Sequence, residues 1–160
     1  MPLRNTRQRT FVRENFDAIW PAHLSGFTNL LVQLRKRFDG DLDLVLVLAT
    51  ISSRTQPEEW VPALDQLGRL TRETAPESNQ SAINIQSVAE YSGIPRETVR
   101  RKVTLLQARG WVDRGADGRL TVTHAAARDL QDETGSTITY LAALLIAFET
   151  AQAQAASRNV

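Results

Sequence analysis

A chain of 160 residues, 42% apolar and 23% charged, is long enough for one compact domain or for a core domain with helical extensions. It contains no cysteine, which excludes a disulfide framework and a thiolate metal site and fits a reducing cytoplasm. The net charge of +1 excludes a polycation, but the charge is uneven: net +4 over residues 1–40, −4 over 41–84, +3 over 85–122 and −2 over 123–160. Attraction for phosphate needs such a local patch rather than a high total.

Residues 1–10 form an Arg-rich arm, with Arg4, Arg7 and Arg9 ahead of any acid. The arm lacks the apolar run of a secretory signal and reads as a solvated end; a minor-groove arm is the sharper alternative. Residues 11–38 read as mostly helical. Phe11, Phe16, Ile19 and Trp20 mark one apolar face, and Phe27, Leu30, Leu31 and Leu34 continue it at helical spacing. Pro21 predicts a kink or a break between them. Arg35, Lys36 and Arg37 suit the negative end of the helix dipole, and Phe38-Asp39-Gly40 reads as the stop. Residues 41–53 are apolar on all sides, as in a buried helix or a buried strand. Asp41 is a good N-cap, and helix is the preferred reading.

Residues 54–81 read as an insertion. Pro57 with Glu58 and Glu59 suggests a helix start, Trp60, Leu64 and Leu67 give a helical stripe, and residues 74–81 are a polar loop. Asn84 then caps a short helix in which Val88 and Ala89 face inward, and Gly93 ends it in the left-handed conformation. Ile94 plugs the turn, and Pro95 opens a second helix at its first position. Val99, Val103 and Leu106 form its apolar stripe. Arg96, Glu97, Thr98, Arg100, Arg101, Lys102 and Thr104 are left facing outward. Gly110 stops the helix. Trp111-Val112 and Leu120–Val122 then read as two strands around a turn built on Gly115 and Asp117-Gly118, with Arg114 and Arg119 near its tip. Thr123 caps a final helix to about Ala155, which Gly135-Ser136 can interrupt. Its stretch from Ile138 to Phe148 has about half of the ~20 apolar residues that a membrane span needs, so no membrane is expected.

The stretch VAEYSGIPRETVRRKVTLLQARGWV resembles the winged helix-turn-helix of bacterial transcription regulators of the MarR, IclR and GntR kinds. Val88-Ala89, Gly93-Ile94, Thr98-Val99, Leu105-Leu106 and Arg109-Gly110-Trp111-Val112 carry the resemblance, which covers about 40 residues. Asp117-Gly118-Arg119 is similar to the acidic-x-Arg wing tip of MarR-like proteins. Alanines stand where that family has a glycine after the wing, and the 54–81 insertion departs from it too. The resemblance implies a mainly α fold with a small β-hairpin wing: an N-terminal arm and helix (1–40), a winged helix-turn-helix (41–123) and a C-terminal helix (124–160), the two ends forming a homodimer.

The function implied is sequence-specific reading of double-stranded DNA in the cytoplasm. Arg96, Glu97, Thr98, Arg100, Arg101, Lys102 and Thr104 would lie in or beside the major groove, and Arg114 and Arg119 on phosphates or in the minor groove. A winged helix that binds protein, as a scaffold or replication module, is the alternative. The sequence has no P-loop, dinucleotide fingerprint or nucleophile elbow, so no enzyme and no cofactor are expected. His23 and His124 stand alone, without metal-site spacing. Trp20, Phe27, Trp60 and Tyr140 could line a pocket for a small-molecule effector, but ordinary core packing is the preferred reading.

Overall fold

The computed structural model describes residues 6–55 and 83–158. The expected helix of the insertion, with Trp60, Leu64 and Leu67, and the polar loop after it lie outside the described residues, as do Arg4 and the start of the arm. The described residues form seven helices and one small antiparallel hairpin, and the chain divides into two compact units. One unit runs from 34 to 132, and the other takes the chain up to 33 and from 133 onward.

In the second of these, α1 spans Arg7–Glu14, and Thr6 caps it by accepting from the N–H of Arg9 at 3.2 Å. The chain breaks at Asn15, whose backbone N–H and side-chain amide both donate to the carbonyl of Phe11. The break expected at Pro21 is not there. α2 runs without interruption over Phe16–Arg37 with Pro21 inside it. Its missing N–H forfeits one helical bond, to the carbonyl of Asp17, and the rest of the helix outweighs that loss. The long last helix, Gln131–Arg158, is also continuous. Gly135-Ser136 does not interrupt it; Thr139 donates back to the Gly135 carbonyl at 3.1 Å, and the break falls earlier, at Leu130.

The 34–132 unit holds the core. Asp39 (φ 54°) and Gly40 (φ 84°) turn the chain out of α2, which places Phe38 inside. α3 (Leu42–Ser52) is a helix, as Asp41 implied: its carboxylate accepts from the N–H of Leu44 at 2.9 Å. α4 (Ile85–Ser92) and α5 (Arg96–Ala108) pack on it, and β1 (Val112–Arg114) and β2 (Leu120–Val122) close the other side before α6 (His124–Asp129). The long helix is α7. Val112 pairs with Val122, Asp113 with Thr121 and Arg114 with Leu120. One further extended residue lies outside the two strands expected from the sequence. Ile83 bridges to Leu120, whose N–H donates to the Ile83 carbonyl at 2.8 Å. Thr55 is 2% exposed; its hydroxyl donates to the Ile51 carbonyl and accepts from the N–H of Val122, tying the end of α3 to β2.

Val99, Val103 and Leu106 are at most 1% exposed and meet Leu44, Val47, Ile51, Val88, Trp111 and Leu120 in one continuous core. Each such side chain contributes roughly 1.5–3 kcal/mol. Leu106→Ala is expected to lower stability by about 2–5 kcal/mol in a denaturant titration, through lost transfer energy and the cavity left behind. Val99→Asp buries an unpaired charge and should abolish the cooperative thermal transition seen by circular dichroism.

Candidate functional site

The turn between α4 and α5 follows from its sequence. Asn84 accepts from the N–H of Ser87 at 3.0 Å and starts α4. Gly93, at φ 73°, closes it, and the Ser92 hydroxyl accepts from the N–H of Ile94, which is buried. Pro95 takes the cap position at φ −54° and ψ 137° rather than the first helical position, so the helix begins one residue later than expected, at Arg96. At the far end of α5 the N–H of Gly110 bonds the carbonyl of Gln107 and that of Trp111 bonds the carbonyl of Leu106, with Gly110 at φ 72°. This is a Schellman stop, and it aims the chain directly into β1.

With the stripe inward, the other side chains of α5 fall outside, but they are not equivalent. Arg96, Glu97, Arg100, Arg101 and Thr104 are exposed, while Thr98 and Lys102 are half-buried. The Arg96 side chain stands exposed at the first position of the helix. Arg100 is gripped by Glu97 in a two-pronged ion pair, Nε to Oε2 at 2.9 Å and Nη2 to Oε1 at 2.6 Å. The Arg100 bond holds the Glu97 carboxyl below its ordinary pKa, with a smaller pull from the charges of Arg101 and Arg96. Arg101 reaches the Thr98 hydroxyl only at 3.4 Å. Thr104 donates back to the carbonyl of Arg100 at 3.1 Å.

Lys102 does not point outward as expected. Its ammonium is paired with the Asp41 carboxylate, and the side chains are only 19% and 28% exposed. The reason lies in position. Lys102 lies three residues after Val99 and four before Leu106, on the flank of the stripe, which turns it toward the cap of α3, where a carboxylate already stands. Burial opposes the charge of Asp41, but the ammonium and the Leu44 N–H outweigh it, so its carboxyl sits below the ordinary value. Arg109 is likewise turned inward. Its guanidinium lies 5.0 Å from the Trp111 ring and 5.9 Å from Phe38, and it pairs with Asp39 at 3.4 Å. Trp111 in turn donates its indole N–H to Asp129 at 2.9 Å. The runs of like charge in the sequence carried no sign of these pairings, because the acids involved lie 61 and 70 residues from their partners.

On the hairpin, Arg114 and Arg119 are exposed on either side of the tip. The Gly115 N–H bonds the Arg119 carbonyl at 2.8 Å, Gly118 adopts φ 82°, and Asp117 accepts from the N–H of Arg119.

In the other unit, Trp20 and Phe27, for which the sequence favours core packing, gather with two further rings. Phe16, Trp20, His23 and Phe27 form a ladder along α2 with ring centroids 5.1, 5.1 and 5.5 Å apart. His23 shares a 2.7 Å hydrogen bond with the Tyr140 hydroxyl. Trp60 lies outside the described residues. The ladder is not packed away: Phe16, Trp20, Leu24, Phe27 and Leu31 are 37–50% exposed, and Ile138, Leu141, Leu145 and Ile146 of α7 are 53–62% exposed. By length and composition α7 is also apolar enough to cross a membrane. No cluster of metal-ligating side chains occurs among the described residues.

No protein-family model, curated protein or solved structure matches the chain. The class that the residues themselves define is a mainly helical protein with a two-stranded hairpin after its most basic helix.

The Asp41–Lys102 pair predicts a separation of roles along α5. Lys102→Met leaves a half-buried carboxylate without its cation and should lower stability by about 1 kcal/mol. Arg101→Met, at an exposed position, should change it by less than about 0.5 kcal/mol. Because the Asp41 pKa is lowered in the folded state, its stabilisation is complete above the ordinary carboxylate pKa and is lost as pH falls through the lowered one. The gap between wild type and Lys102→Met in thermal melts should therefore close in acid.

Proposed function

We propose that this chain is a winged helix-turn-helix protein that reads double-stranded DNA as a homodimer in the cytoplasm and regulates transcription. The observation that carries the reading is the outer face of α5, where Arg96, Glu97, Arg100, Arg101 and Thr104 stand exposed on a helix whose rotation is locked by Val99, Val103 and Leu106. A rigid helix with cations and hydrogen-bonding groups on one face suits the major groove, its first turn nearest the base edges. Arg96 and Thr98 take that position here, Arg100 and Arg101 are suited to phosphates or guanine, and Arg114 and Arg119 on the hairpin to the flanking backbone. Lys102 has no part in this reading, since Asp41 holds it.

The dimer rests on the exposed apolar side chains of α2 and α7. Trp20, Leu24, Phe27 and Leu31 recur at intervals of four, three and four, and Ile138, Leu141 and Leu145 at three and four, the spacing of a helix–helix seam. Seams of this kind suit a second copy of the chain better than lipid, because Glu149, Gln152 and Gln154 share α7.

Electrophoretic shift with mixed genomic DNA at two salt concentrations tests the reading. Retardation that weakens steeply with salt is expected; a chain that retards no DNA even at low salt is a protein-contact module instead. Arg96→Ala should lower affinity for a selected site by roughly 1–3 kcal/mol and leave the melting temperature unchanged. Equal losses on selected and scrambled DNA would reduce Arg96 to a phosphate contact. Replacing Arg114 and Arg119 together should weaken all DNA alike and flatten the salt slope by about one or two units. Light scattering should give twice the chain mass, and a full-length monomer would remove the dimer.

A further inference from the structure

The cations of α5 and of its C-cap differ in what restrains them. Lys102 and Arg109 are bound inward, by Asp41 and by Asp39 with two aromatic rings. On the outer face the one ion pair among the described residues is Glu97 with Arg100. It is a two-pronged pair, with both side chains more than half exposed, one turn from the start of the helix. A fork of this kind holds the guanidinium in a fixed plane against the helix rather than extended toward a phosphate.

Resting on the DNA-binding reading above, we infer that Glu97 is a specificity-determining residue: it withholds Arg100 from DNA until a base in the major groove takes the carboxylate in exchange. For Arg100 to turn the two-pronged edge of its guanidinium to a phosphate, its pair with Glu97 must open, and Glu97 is then left in the negative field of the groove with no cation. On DNA of arbitrary sequence that exchange replaces one ion pair by another and adds a repulsion. It becomes favourable where the groove offers a donor to the carboxylate, and the exocyclic amine of cytosine is the base group suited to it. Arg100 then binds phosphate while Glu97 accepts from the amine, and neither charge is stranded. The position of Glu97 in the first turn of α5, beside Arg96, places the carboxylate where a base edge would lie.

Full-length protein is compared with Glu97→Ala, and with Arg100→Ala in both backgrounds, on scrambled duplex and on the sequence enriched from a random library by the wild type. Glu97→Ala should bind scrambled DNA roughly fivefold more tightly at 0.15 M salt, with a salt slope steeper by about one unit, as for one more neutralised phosphate. Library selection with this variant should lose a cytosine preference at one position of each half-site. The gain should vanish when Arg100 is also Ala. If the wild type binds DNA and Glu97→Ala binds scrambled duplex no better, or the gain survives without Arg100, the inference falls while the DNA reading stands. If the wild type binds no DNA at low salt, both fall. Circular dichroism should show unchanged helix content in every variant, since both side chains are exposed.

Discussion

The burial of three side chains on α5 governs most of what this protein can present to a partner. Val99, Val103 and Leu106 sit at i, i+4 and i+7 and are almost wholly removed from solvent. An α-helix turns 100° per residue, so fixing one stripe fixes every other direction. Once the stripe is inside, residues 96, 97, 100, 101 and 104 have no choice but to face out. The Schellman stop at Gly110 then points the chain at β1, and the hairpin returns to the same core through Val112, Leu120 and Val122. The outward face and the hairpin tip are thus two consequences of a single apolar constraint.

The same constraint decides which charges are spent internally. Asp41 has two tasks at once: one oxygen caps α3 and the other holds Lys102. Asp39 and the rings of Phe38 and Trp111 absorb Arg109 in the same way. The basic character of residues 85–122 is therefore less available to a polyanion than the sequence suggests. A helix that looks uniformly cationic is sorted by its neighbours into an inward pair, a restrained arginine and two freer ones.

Much of the 34–132 unit was legible in the sequence because its signals are local. Asn84, Gly93 and Gly110 act within four residues of themselves and each appears as expected, while Thr123 caps the short α6 rather than the long final helix. The ambiguous stretch after Asp41 resolved to helix through its cap. What was not legible depends on distance or on competition. Pro21 and Gly135 looked like breaks, but long flanking helices override a single unfavourable residue, whereas Asn15 and Leu130 broke the chain without conspicuous signals. Of the candidate site, the outward set was legible from periodicity, but Lys102 was not, since its partner lies 61 residues earlier. The Glu97–Arg100 pair, three residues apart on one helix, was open to reading and was missed.

Arg37, the last residue of α2, donates to the carbonyl of Asp129, the last residue of α6, at 3.1 Å. The polypeptide thus enters and leaves the 34–132 unit at neighbouring points. Topologically the unit is a handle: the chain between Arg37 and Asp129 is tied at its two ends by this side-chain bond. Such a module can be excised, or carried into another host chain, through one short joint and without opening its core. New sequence is tolerated in such a unit only at exposed loop tips such as residues 115–117 of the hairpin, where it lengthens the handle without entering the core.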